Sequence, residues 1–230
     1  MKIVITYKHT GNDDYLDLIK KSFYSAKSRG YTTVLVTTGE ISVQADEVIQ
    51  IEDERYLMNW ILKAQEAFIN SSVFTENSVF FSPDALILQD LHKVFEGSFD
   101  LGVTERFNFP EYPINNGVIF LKVEAKEKLK SMWAEMRVRC YHYPVQIQEW
   151  YGDQKALSDI LVIYDDAPFG VKTQRFLCET HNMSPSYKGS LESEIEKIAN
   201  AFIIHFKGAR KGMLESFYRL LYENSCHRCN

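Results

Sequence analysis

The sequence has little of what marks several special classes of protein. Its 230 residues include four cysteines, six prolines and eleven glycines, which excludes collagen-like and disulfide-dense chains. Lys and Arg number 26 against 31 Asp and Glu, a formal net charge of −5, so the basic excess of a dedicated nucleic-acid binder is missing. No apolar run approaches the roughly 18 residues that span a bilayer. We therefore expect a cytoplasmic protein with neither a nucleic-acid partner nor a membrane span.

The cysteines are Cys140, Cys178, Cys226 and Cys229. Without a secretory signal, reduced thiols are the expectation. The spacing of Cys226 and Cys229 is found in zinc and redox sites, but a structural zinc site needs four ligands and only half a site stands in this polar terminus. The pattern therefore favours a frayed tail over a metal or redox centre.

What is present is ordinary globular composition, with 45% hydrophobic and 25% charged residues. No repeat or linker divides the chain, so residues 1–230 are predicted to form a single domain. Short apolar runs alternate with helical periodicity. Strands are predicted at residues 2–6, 32–37, 47–51, 78–81, 101–104, 117–122 and 201–206, and helices at 15–26, 57–68, 125–139, 153–161 and 213–222, the first capped by Asn12 or Asp13 and ended by Gly30. This alternation predicts an α/β fold with a Rossmann-like, mixed but largely parallel sheet flanked by helices.

Ligands of open α/β sheets bind beyond the carboxyl ends of the strands, so polar segments at those ends are the candidate sites. Four segments qualify: Ser82 to Asp84, Asn115 to Gly117, Gly152 to Gln154, and His205 to Lys211. Asp84 suits Mg²⁺ or Mn²⁺, which bind diphosphates together with one or two protein carboxylates. It suits equally a turn cap after Pro83.

The other segments also have a purely structural interpretation. His205 lies in an apolar run and is compatible with a core histidine. Asn116 and Gly117 are typical of a turn leading into a strand. Gly152 and Asp153 are compatible with a helix cap, and the lysines after His205 with a solvated turn.

The order of these segments resembles the GT-A glycosyltransferases, in particular the glycogenin-like and bacterial galactosyltransferase-like group. The stretch FFSPDALILQDL is similar to that group's metal-binding FLDADTLVLRDL, and INNGVIFLK to FNAGVMVF. The stretch YGDQKALSDIL is similar to DQDALN, and IIHFKGARK to IIHFxGxxKPW. The resemblance covers about residues 1–214. It departs at Ser82, which replaces the first Asp of D-x-D by a weaker hydroxyl ligand, and in lacking the final Pro-Trp.

The resemblance implies roles for individual residues. Asp84 and His205 would be metal ligands for Mn²⁺ or Mg²⁺, with Ser82 supporting directly or through water. Residues facing the donor follow in three groups: Lys207, Gly208 and Lys211 at the diphosphate; Asn115, Asn116 and Gly117 at the sugar, opposite Asp153 and Gln154; and Thr6, Tyr7 and Lys8 at the base and ribose. Lys63 matches a basic position that often reaches the donor, although a solvated helix face explains it equally well.

The implied function is transfer of a sugar from a nucleotide diphosphate donor, with UDP the expected nucleotide, to a glycan, lipid-linked or protein hydroxyl. Asp153, Gln154 and Lys211 are the candidate catalytic residues. Residues 1–105 would form the nucleotide-binding half, 106–214 the acceptor half, and 215–230 a terminal helix and tail. A homodimer is compatible with this interpretation.

Two other functions compete. Nucleotidyl transfer needs a glycine-rich phosphate loop after the first strand, where this chain has only Gly11. A non-catalytic relative that binds a nucleotide or a glycan is the stronger rival, because Ser82 removes a metal carboxylate.

Overall fold

The structure is a computed structural model that describes residues 1–11, 14–107, 109–187, 194 and 197–223. The predicted caps Asn12 and Asp13, and the tail cysteines Cys226 and Cys229, lie outside this part. The strands are β1 (Lys2–Tyr7), β2 (Thr32–Thr37), β3 (Glu47–Gln50), β4 (Ser78–Phe81), β5 (Ala85–Ile87), β6 (Leu101–Glu105), β7 (Ile114–Leu121), β8 (Thr173–Leu177) and β9 (Ile203–His205).

The main sheet has seven strands in the order β3-β2-β1-β4-β7-β6-β8. The pairs among β3, β2, β1 and β4 are parallel, as is the pair of β6 with β8. Only the pairs that β7 makes with β4 and β6 are antiparallel. This mixed, largely parallel sheet confirms the predicted fold class. A second, two-stranded sheet pairs β5 with β9.

The helices are α1 (Asp14–Lys27), α2 (Leu57–Asn70), α3 (Lys126–His142), α4 (Val145–Trp150), α5 (Gly152–Ile163), α6 (Cys178–His181) and α7 (Leu214–Tyr218), with short 3₁₀ turns between some of them. Helices α2, α3 and α5 pack over one face of the sheet, where Trp60 and Trp133 are fully buried. Helix α1 packs on the other face through Ile19 and Phe23. Burial on both faces explains the near-continuous apolar strands.

The predicted elements differ from the structure mainly in the second half. Strand β7 begins at Ile114, three residues before the predicted start, so Asn115, Asn116 and Gly117 lie within the strand. The predicted strand at 201–206 shortens to β9, and the predicted last helix divides into a 3₁₀ turn, α7 and a π-helical turn. Strands β5 and β8 were not predicted, since three residues and an alternating exposed edge carry little pattern. Among the described residues, no helix is both long and apolar enough to cross a bilayer.

Candidate active site

A cavity of about 570 Å³ opens at the carboxyl ends of β1 and β4, beside the start of β7. This is the edge where an open α/β sheet binds ligands. Fourteen of the fifteen residues proposed from the sequence line this cavity: Thr6, Tyr7, Lys8, Ser82, Asp84, Asn115, Asn116, Gly117, Asp153, Gln154, His205, Lys207, Gly208 and Lys211. The four polar segments of the sequence therefore meet in one place.

Lys63 is the exception. Its ammonium lies 3.6 Å from a carboxylate oxygen of Glu54 and donates to the carbonyl oxygen of Glu52 at the surface of α2. The structure thus gives Lys63 the solvated helix face that was its alternative interpretation. Lys8 does line the cavity, but its charge is already matched by Asp53 at 2.8 Å.

Asp84 is held by three side chains at the base of the cavity. Its Oδ1 accepts from the Ser82 hydroxyl at 2.5 Å and lies 3.0 Å from His205 Nε2, while its Oδ2 lies 3.1 Å from Lys211 Nζ. Burial opposes ionisation of Asp84, but the attraction of His205 and Lys211 and the bond from Ser82 hold the pKa of this carboxyl well below its usual range. Both oxygens are therefore engaged by the protein itself.

A strand of the second sheet delivers His205 to this position, since His205 ends β9 and pairs with Ala85 of β5, next to Asp84. On its other side, His205 Nδ1 lies 2.8 Å from the Asn182 carbonyl oxygen. Asn182 is fully buried and donates through Nδ2 to Thr104 Oγ1 and Asn115 Oδ1, each at 2.8 Å. Because Oδ1 of Asn182 is thus the accepting side of the amide, His205 donates from Nδ1, which fixes its ring.

Asn116 and Gly117 enter the cavity, next to Asn115, because β7 bulges against β6. Val103 pairs with Ile119 and Thr104 with Asn115, so the residues between are displaced from that ladder. Bulges redirect side chains in this way next to many functional sites. The Asn116 side-chain nitrogen donates to Asp153 at 2.7 Å, but its side-chain oxygen is buried with no partner among the described residues. That oxygen remains available to a ligand.

Gly117 lies against His205 so closely that no side chain fits. A Cβ built there would stand 2.3 Å from Cε1 and 2.7 Å from Nδ1 of that ring. Gly117 therefore allows close packing against His205. Its sequence context had instead suggested a turn.

Gly117→Ala is accordingly expected to lower the free energy of unfolding by about 1–3 kcal/mol, the usual cost of overpacking. Thermal or denaturant unfolding measures this loss. Gly39→Ala is the matched control, because a Cβ at Gly39 meets nothing within 4 Å. Equal stability of the two variants would contradict the described contact with His205.

Asp153 is buried in the first turn of α5, opposite the sheet edge. Burial raises the pKa of Asp153, while hydrogen bonds from Asn116 and from the backbone N–H of Gln154 offset part of the rise. Tyr151 occupies the N-cap position of α5 but makes no capping bond through its side chain. Asp153 Oδ1 instead accepts from the backbone N–H of Gln154 at 2.8 Å, so this carboxylate both satisfies an N–H of the first turn and lines the cavity.

Two cations in the cavity lack a carboxylate partner. Arg106 follows β6 and donates to Tyr112 O and Gln154 Oε1, leaving its Nε buried and without a partner. The ammonium of Lys207 makes no hydrogen bond or ion pair with the part of the chain that is described, and burial lowers its pKa to about 8. Gly208 next to it has φ of +59°, a conformation that favours glycine.

The side chains present are a poor fit for the predicted divalent cation. Asp84 is the single carboxylate at this point, Ser82 offers a hydroxyl, and Lys211 holds the oxygen that a metal would need. The described residues contain no group of three or more His, Cys, Asp or Glu side chains able to bind a metal. The Mn²⁺ or Mg²⁺ that the resemblance implies therefore stays a prediction.

Comparison with known proteins yields no matching family model and no matching curated protein. Solved structures do match. A glycosyltransferase involved in glycosylation of the major capsid of PBCV-1 has a TM-score of 0.59 at 13% identity, covering 96% of this chain and 100% of that one. The galactosyltransferase LgtC, in complex with donor and acceptor sugar analogues, has a TM-score of 0.57 at 11% identity over 96% of each chain.

The fold is that of the GT-A glycosyltransferases. GlyE of Streptococcus pneumoniae TIGR4 agrees, with a TM-score of 0.61 at 10% identity over 99% of this chain and 63% of GlyE. At these identities the likeness establishes the GT-A fold alone.

The residues missed from the sequence include Arg106 and Trp60, which line the cavity, and Asn182, which lies behind His205. Arg106 directly follows a buried strand, and the rule that selected Asp84 would have selected it too. Asn182 carried no signal, because its partners stand 23 to 78 residues away. Trp60 follows the apolar periodicity of α2, which does not reveal that it lines the cavity with its indole N–H unpartnered.

Proposed function

We propose that the protein transfers a sugar from a nucleotide diphosphate donor, UDP being the nucleotide, to an acceptor hydroxyl. The observation that carries the proposal is the cavity of the GT-A fold, in which Arg106, Lys207 and Lys211 converge with the buried carboxylate of Asp153. Such a cavity suits a ligand with an anionic end and a polar, uncharged end. A nucleotide sugar has both.

The bond that breaks joins the anomeric carbon of the sugar to the diphosphate. As it breaks, negative charge grows on the departing phosphate oxygen and positive charge on the sugar ring. Cationic side chains aimed at the departing oxygen stabilise the transition state. Lys207 and Lys211 supply that charge from the turn after β9, and Arg106 supplies a planar guanidinium suited to two phosphate oxygens.

The sugar would lie between the bulge of β7 and the start of α5. There Asn116 offers an unpartnered carbonyl oxygen to a sugar hydroxyl, and Gln154 offers its amide. Asp153 supplies a negative charge toward the positive sugar ring. Its buried position strengthens that interaction, because the local dielectric is low.

The acceptor would enter beside two aromatic side chains at the cavity. Trp150 is 64% exposed there. Tyr151 is its neighbour and stacks on Tyr112 with ring centroids 4.7 Å apart. Exposed, flat aromatic faces around polar groups are typical of small-molecule sites, and they suit the apolar face of a glycan, lipid-linked or glycosylated protein acceptor.

The test is release of nucleoside diphosphate from a panel of common UDP-sugars, with hydrolysis by water accepted as the reaction. We expect release from at least one donor, and Lys207→Ala should lower it about tenfold or more, since a charged hydrogen bond contributes about 1.5–3 kcal/mol. Lys93→Ala, an exposed lysine outside the cavity, is the matched control. No release from any donor, combined with no UDP binding, would contradict the proposal.

The second candidate is a non-catalytic relative that binds the nucleotide sugar without transferring it. Ser82 favours it, because this hydroxyl stands where the resemblance places a metal carboxylate. The same assay separates the two functions. Binding of UDP-sugars by calorimetry without release, in the presence of EDTA and of Mn²⁺, would support the non-catalytic function.

A further inference from the structure

We infer that this protein needs no divalent cation at its diphosphate site, because Lys211 occupies the place of the metal and Arg106 and Lys207 complete the charge. The inference rests on the proposed function. The resemblance of the sequence implies a metal-dependent site, whereas here the side chains of the protein itself hold the donor.

Both carboxylate oxygens of Asp84 are already in contact with other side chains. The Ser82 hydroxyl and His205 contact one of its oxygens, and Lys211 Nζ stands 3.1 Å from the other. A divalent cation bound at Asp84 would therefore have to displace an ammonium that already neutralises the carboxylate. With serine at position 82, no second carboxylate offsets that exchange.

The side chains that line the cavity carry a net positive charge. Its lining carries Lys8, Arg106, Lys207 and Lys211 against Asp84 and Asp153, so 4 − 2 = +2. Lys8 is matched by Asp53 outside the lining, which still leaves +1. A cavity of positive charge repels a free divalent cation and attracts a polyanion. The local charge is thus opposite to the net −5 of the chain.

Arg106 and Lys207 have no acidic partner among the described residues. Among the described residues, the buried Nε of Arg106 and the ammonium of Lys207 have no hydrogen-bond partner. Buried charges are normally paired. A diphosphate bound here would pair both, so the site is complete with the ligand that the proposed reaction supplies.

The experiment is a calorimetric titration with UDP alone, in EDTA and then in Mn²⁺. We expect wild-type affinity to agree within about twofold between the two conditions. Lys211→Ala is expected to weaken binding in EDTA by about tenfold or more, the scale of a lost charged hydrogen bond. Lys93→Ala should match the wild type, and melting temperatures confirm that each variant is folded.

The outcomes separate this inference from the proposed function. Wild-type binding of UDP that needs Mn²⁺ would overturn the inference and leave the proposed function standing. Affinity of Lys211→Ala equal to that of Lys93→Ala in EDTA would overturn it as well. Absence of UDP binding under both conditions would contradict the proposed function itself, and the inference with it.

A converse variant tests the role of Ser82. Ser82→Asp places a second carboxylate beside Asp84 and Lys211, so the charge of these groups changes from 1 − 1 = 0 to 1 − 2 = −1. Mn²⁺ should then improve UDP affinity by about tenfold or more. The readout is the same titration in EDTA and in Mn²⁺. Indifference of this variant to Mn²⁺ would contradict the view that charge at this point governs use of the metal.

Discussion

Replacing Asp153 with asparagine is expected to lower sugar transfer about 10²- to 10³-fold, the usual effect of removing one electrostatic contact from a transition state. Asparagine keeps the size of the side chain and an oxygen to accept from Asn116, which now lies 2.7 Å away. What it loses is the negative charge opposite the positive sugar ring. Release of UDP from the active donor, measured as kcat and KM, is the assay.

The expected pattern for Asp153→Asn is a fall in kcat with little change in UDP affinity or melting temperature. Asp165→Asn is the control, because Asp165 is exposed and outside the cavity, and its φ of 50° suits asparagine as well as aspartate. Wild-type turnover by Asp153→Asn would remove this carboxylate from the mechanism. A matching loss of stability would reassign it to a structural role.

Asn182→Leu is expected to produce the largest loss of stability, about 3 kcal/mol. The change leaves His205 Nδ1 buried without its partner and removes one hydrogen bond each from Asn115 and Thr104. An orphaned buried donor costs about 1–3 kcal/mol and each lost bond about 1 kcal/mol. Chemical denaturation measures the sum.

A second readout separates stability from positioning at the same residue. Under conditions where Asn182→Leu is fully folded, UDP affinity should still fall, because the His205 ring and the Asn115 amide lose their common anchor. Asn70→Leu is the control, since Asn70 is exposed at the end of α2. If both variants unfold at the same denaturant concentration, the described network does not contribute to stability.

Some residues of the site could be predicted from the sequence and others could not. Asp84 and His205 were both assigned to polar segments at the carboxyl edge of the sheet, and the resemblance implied that they act together. For Lys63 the spacing on α2 left a donor contact and a surface position equally open, and the described cavity does not include it. Asn115 and Asn116 were assigned to a loop, since a bulge that keeps polar residues inside a strand depends on the partner strand.

The net charge of the chain and the charge of the cavity also differ. A net charge of −5 is a sum over the chain, whereas binding of an anion depends on the few charges that share one cavity. Arg106 is unremarkable in the sequence, and Lys207 was expected at the diphosphate only through the resemblance. Only the packing of β6 against β7, and the turn after β9, brings them to one cavity without acidic partners.

The sequence alone determined the α/β class, the strands up to β4 and the edge of the sheet where the polar segments meet. These features follow from local periodicity and from the geometry of parallel strands. The tertiary structure decided that Lys211 neutralises Asp84, that Asn182 orients His205, and that Arg106 joins the cavity. Each of these depends on distances of a few ångströms between segments far apart in the chain, which no local pattern of residues records.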